Sequence, residues 1–218
     1  MNTKHAAAIL LLAAVAPFAA HAGSVRSEVR SDLADARAEV RADMAKERAE
    51  LESGNLSLDG LHFGKDRKSR HGVGGHDADR PEGEITPAGD FLVDGKPVAI
   101  DPAQRAQLLA YRSQVIDLAK LGLDAGERAA MLAIDATDVG MIRLFFSAMS
   151  GSLERKVKDT VAREIKPAVL QICRRLPDLR ASQQQLAASL PEFRPYATLE
   201  ERDVADCERD VRAEFATL

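Results

Sequence analysis

The chain has 218 residues, 45% of them apolar and 29% charged. Thirty Lys and Arg against 34 Asp and Glu leave a formal net charge of −4. That mildly acidic balance argues against a nucleic-acid partner, which normally selects a basic face.

The first 22 residues read as an export signal rather than as structure. Lys4 supplies a positive start, Ala6–Phe18 is an apolar run, and Ala20-His21-Ala22 gives the small-x-small pattern of a cleavage site. A transmembrane helix needs roughly 20 apolar residues, and this run is shorter. Cleavage after Ala22 is expected, with a mature chain starting at Gly23. Removing Lys4, the one charged residue lost, takes the formal charge from −4 to −5. No later stretch reaches transmembrane length. The most apolar, Met141–Met149, is short and contains Arg143, so Leu144, Phe145 and Phe146 are expected in a buried helix.

Residues 23–52 are expected to form a charged amphipathic helical arm. Val25, Val29, Leu33, Ala36, Val40 and Met44 step by three or four and make one thin apolar stripe among charges of both signs. Such a stripe is too narrow for a deeply buried helix. It fits a solvated helix lying on the domain, or, as the sharper reading, a coiled-coil or partner-binding arm.

Residues 53–83 read as a flexible linker, with Leu56-Ser57-Leu58 as a short extended piece. Beyond it, glycine, charge and chain breakers leave too little apolar surface to offset the entropy of ordering. His62, His71 and His76, all the histidines of the mature chain, fall here, near Asp77 and Asp79. Imidazole and carboxylate together admit a loose zinc, copper or nickel site, although the spacing fits no metal motif. The Lys65–Arg70 run reads as a solvated charge run.

The domain proper is expected over 84–218. Phe91-Leu92-Val93 and Pro97-Val98-Ala99-Ile100 flank Asp94-Gly95, a strong two-residue hairpin signal because both residues tolerate positive φ. Pro97 restricts its strand to an edge. Asp101, Pro102 and Gln104 then form the start of a capped helix expected to stop near Gly122. More helix follows over 125–149, with Asp135, Asp138 and Arg143 on its exposed side. A helix over about 153–176 should be kinked at Pro167. A further helix ends at Pro191, PEFRPYAT reads as a loop, and Thr198 with Glu201 reads as a capping box before a last helix over about 199–215. The expected class is mainly α: a helical domain with a small N-terminal β-hairpin or meander, preceded by the arm and linker.

The two cysteines, Cys173 and Cys207, are 34 residues apart. In an exported chain this count predicts one disulfide, stapling the last helix to the kinked one. A C-x-x-C redox pair is missing.

Two segments, ITPAGDFLVDGKPVAIDPAQRAQLLAYR from Ile85 and ICRRLPDLRASQQQLAASLPEFRPYA from Ile172, carry a resemblance. Over about residues 85–215 the chain resembles the YggN-like family of exported bacterial proteins, built on a domain of unknown function. The resemblance implies periplasmic residence and supplies no catalytic residues. It does not cover the arm or the linker.

No histidine lies in the expected folded domain, so a Ser-His or Cys-His nucleophile pair is not expected there. Phosphate-cradling loops, zinc-protease helices and dinucleotide fingerprints are also missing from the sequence. The expectation is a non-enzymatic periplasmic protein without a cofactor, binding an envelope protein or lipid partner through helical surfaces. The alternative is a metal-responsive protein using His62, His71 and His76.

Overall fold

The structure, a computed structural model, describes residues 16–59, 80–147 and 152–216, with side chains over 27–59, 80–135 and 162–216. Helix α1 spans Ala16–Ser53. Four short strands follow: β1 Leu56–Ser57, β2 Gly83–Ile85, β3 Phe91–Val93 and β4 Lys96–Pro97. Then come α2 Pro102–Ser147, α3 Ser152–Ser189, a 3-10 turn over Pro191–Tyr196, and α4 Glu201–Glu214. The chain is mainly α with a small antiparallel meander, as its sequence leads one to expect.

The sheet has the order β1-β2-β3-β4, every neighbour antiparallel. Leu56 pairs with Ile85, and Ile85 with Phe91. This row is buried across three strands. Leu58 is also buried, and its N–H donates to Gly83 O at 2.8 Å. The expected linker therefore needs correction at both ends. Residues 56–58 and Gly83 belong to the folded sheet, because Leu56 finds in Ile85 a cross-strand partner that a short isolated piece lacks. The interior of that segment, with Lys65–Arg70, lies outside the described residues.

Helices α2 and α3 form an antiparallel hairpin. On α2 the buried residues Leu108, Tyr111, Val115 and Leu118 step by three and four. On α3, Leu176, Leu179, Gln183, Leu186 and Leu190 just past its end do the same. These steps keep one seam of each helix facing the other, as in a coiled coil. Phe91, Phe193, Tyr196 and Leu199 close the end of that seam under the sheet.

Several boundaries differ from expectation. Helix α2 does not stop at Gly122 but runs 46 residues to Ser147. Gly122 and Gly126 face solvent, and a helical glycine costs only about 1 kcal/mol against alanine, which packing along the helix offsets. Helix α3 likewise continues through Pro167 and Pro177 to Ser189, joining two helices expected to be separate. Both prolines are exposed, where water can reach the carbonyl each leaves unpaired. The PEFRPYAT loop is a 3-10 turn with Phe193 and Tyr196 buried. The capping box of α4 uses Glu200 and Asp203, not Thr198 and Glu201. The side chains of Asp138, Arg143, Leu144, Phe145 and Phe146 lie outside the described ones.

Candidate functional site

The hairpin is tied into the fold on every side. Asp94 has φ 48° and Gly95 φ 70°, the left-handed pair that a primed two-residue turn requires. Asp94 Oδ1 accepts the Glu82 N–H at 2.9 Å, and the Asp94 N–H donates to Glu82 O at 2.8 Å. Asp101 caps α2 reciprocally: its Oδ1 accepts the Gln104 N–H at 2.8 Å, while Gln104 Oε1 accepts the Asp101 N–H at 2.9 Å. Arg105 reaches back from α2 to Asp90 Oδ1 at 2.5 Å and Ala88 O at 3.1 Å, holding the β2–β3 turn. Asp94, Gly95 and Asp101 thus have structural roles where the sequence places them. Phe91 is fully buried, and Val93, Val98 and Ile100 pack partly against the core.

Beneath the hairpin lies an aromatic cluster. Phe193 contacts Phe91, Tyr111 and Tyr196 with ring centroids 5.9, 5.4 and 6.0 Å apart. Fully buried Gln183 sits among them. Its Nε2 donates to Tyr111 Oη at 2.9 Å, and its Oε1 accepts the Leu199 N–H at 3.0 Å. Tyr196 Oη donates to Pro81 O at 2.8 Å. A Cβ on Gly83 would lie 2.5 Å from the Tyr196 ring, so only glycine lets β2 approach that closely. Burial pushes the Tyr111 phenol up to about 12, opposed by the hydrogen bond from Gln183. Burial and the nearby Asp59 and Asp94 carboxylates raise Tyr196 as well.

The other flank of α2 carries a different kind of contact. Antiparallel to it runs α1, joined through Arg37–Asp135 at 2.8 Å, Arg48 to both Asp124 and Glu127 at 2.7 Å, and Lys120–Glu52. The hydrogen bonds of Glu127 first, then Asp124, raise the Arg48 guanidinium, and Lys120 lowers the Glu52 carboxyl. At the end of α1, Arg112 is 8% exposed, and its Nη2 donates to the carbonyls of Leu51, Glu52 and Gly54 at 3.3, 2.9 and 2.8 Å. It caps the negative end of a helix that has no basic residue in its own last turn. An open groove of about 440 Å³ lies where α1, α2 and α3 meet, lined by Arg41, Glu127, Arg128, Met131, Asp135 and Glu164 among others. This charged, α1-bordered groove is the candidate site for recognition.

Cys173 and Cys207 form the expected disulfide, with Cα atoms 5.6 Å apart, linking α4 to α3. Helix α4 has no fully buried residue; Val204 and Cys207 pack partly on the core. His62, His71 and His76 lie outside the described residues. Among the described residues, no group of three or more His, Cys, Asp and Glu is placed to hold a metal ion. Among them, too, no helix is long and apolar enough to cross a membrane.

The sequence reading missed Tyr111, Arg112, Gln183 and Arg48. The step from Leu108 through Tyr111 to Val115 was a usable signal for Tyr111, and Gln183 stands in the corresponding step on α3. Nothing local marks Arg112, whose partners are carbonyls about 60 residues earlier. Comparison with protein families, curated proteins and solved structures finds no match to this chain.

Proposed function

We propose that this is an exported, periplasmic protein that acts by binding rather than by catalysis, in an envelope-maintenance role. Its helical surfaces, and α1 first among them, engage an envelope protein or lipid partner. The observation that carries the binding reading is α1 itself. Its stripe residues Val29, Leu33, Ala36, Val40 and Met44 are only half-buried on a helix docked beside an open charged groove. An amphipathic helix with part of its apolar face still accessible suits helix-mediated recognition. Export is supported by the leader-like residues 1–22, by the Cys173–Cys207 disulfide, which persists in oxidising compartments, and by the YggN-like resemblance.

Two measurements on cells test this reading. Intact mass of protein from the periplasmic fraction should give an N-terminus at Gly23 and no alkylable thiol. Retained Met1 with both thiols free would overturn the export reading. A photo-crosslinking residue at Val40 should trap one envelope component, whereas the same residue at Gly95, on the structural hairpin, should not. Equal labelling from both positions would overturn the assignment of binding to α1.

A further inference from the structure

Helix α1 is fixed at one end and clasped along its length, and the two attachments differ in kind. Every side chain described on α1, from Ser27 to Ser53, is exposed or half-buried, and the hydrophobic core begins only at Leu56. Along the shaft, the contacts to α2 given above are ion pairs with exposed or half-exposed carboxylates: Asp135 is 61% exposed, Asp124 47% and Glu127 25%. Pairs of this kind contribute little and are screened by salt. At the C-terminal end the attachment is different. The buried Arg112 guanidinium holds three carbonyls between Leu51 and Gly54, and Leu56 and Leu58 follow at once into the core. Charge-assisted hydrogen bonds in a buried setting resist salt and cannot be replaced by water while the core stays packed.

We propose that α1 is a hinged strap. Its shaft, about residues 27–48, lifts from α2 and frays once undocked, in a local opening that leaves the core folded, and Arg112 holds the pivot at residues 51–54. Lifting bares the half-buried stripe of α1 together with Met131 and Leu132 of the groove it borders. Regions with few buried apolar contacts are where local opening is expected. The strap rests on the binding reading only for its use; its existence depends on the contacts alone.

Hydrogen exchange on the full chain, followed by mass spectrometry, tests it. Raising sodium chloride from about 0.05 M to about 1 M cuts the screening length to about 3 Å. Exchange over 27–48 should then speed up about tenfold, while 108–118 and 176–190 stay protected. Arg48→Glu should reproduce this at low salt, and adding Asp124→Arg should restore slow exchange through the swapped charges. Arg112→Met, which keeps the apolar stem but removes the donor, should unprotect the amides of 49–54. Exchange over 27–48 that tracks 108–118 and ignores salt would overturn the proposal. So would full exchange over 27–48 at low salt, because the shaft would then never be docked. Should Arg48→Glu fail to fold, the salt series on the unaltered chain decides alone.

Discussion

Toward α3 and the sheet, α2 presents Leu108, Tyr111, Val115 and Leu118, all buried. Toward α1 it presents Arg112, Lys120, Asp124, Glu127 and Asp135, which make ion pairs and a helix cap. One helix therefore carries two interfaces built on different physics. The first loses water and packs rings and methyl groups, so it is cooperative: removing one member opens a cavity its neighbours must absorb. Apart from the buried Arg112 cap, the second keeps its charges in or near water, so its ion pairs act almost independently. The difference explains how a chain can own a rigid domain and a separable arm without a long linker between them.

Substitutions should show that contrast from the strongest effect down. Phe193→Ala removes the ring that three other aromatic rings contact, and should cost about 3–5 kcal/mol in urea unfolding, the range for large buried aromatics. A loss below about 1 kcal/mol would show that the cluster is not the centre of the core. Replacing Cys173 and Cys207 by Ser should cost about 2–4 kcal/mol. Its signature should be selective, with exchange rising first in α4, which has no fully buried residue of its own.

Alkaline pH should weaken the buried interface. Tyr111 has its phenol pushed up to about 12 by burial, while an unfolded tyrosine titrates near 10. The stability linked to it is fully present below about pH 10 and is lost as pH rises through about 12. A shift of this size corresponds to about 2–3 kcal/mol. Tyr196, raised in the same direction, adds to the loss. Urea midpoints taken across that window should fall steeply, and Tyr111→Phe should flatten the slope. The smallest effect belongs to α1: Arg37→Ala should cost about 0–1 kcal/mol, vanishing in salt. A salt-independent loss would mean that this ion pair is not what the arm rests on.

Which parts of this could be read from residues follows from the range over which each interaction acts. The Asp94-Gly95 turn and the Asp101–Gln104 cap are local: each needs only neighbours within three or four residues, and both stand where the sequence puts them. The Cys173–Cys207 bridge was legible because only one pairing exists. The helices expected to stop near Gly122 and at about residue 176 run on, because packing that the sequence does not display outweighs intrinsic propensity. The candidate site was the least legible part. The periodicity of Val29, Leu33, Ala36, Val40 and Met44 marks an amphipathic arm, but its docking depends on Arg37, Arg48 and Arg112 meeting groups some 60 to 98 positions away. In a sequence rich in both signs of charge, no single pair stands out.

The separation of arm from core has a direct optical test. The chain has no tryptophan and two tyrosines, Tyr111 and Tyr196, both in the core. Tyrosine emission therefore reports the core alone, whereas far-ultraviolet circular dichroism also reports α1. In a urea titration at high salt, ellipticity should fall in an early step, before tyrosine emission changes, and the gap should narrow as salt is lowered. Coincident transitions by both probes at every salt concentration would contradict it, showing arm and core to be one cooperative unit.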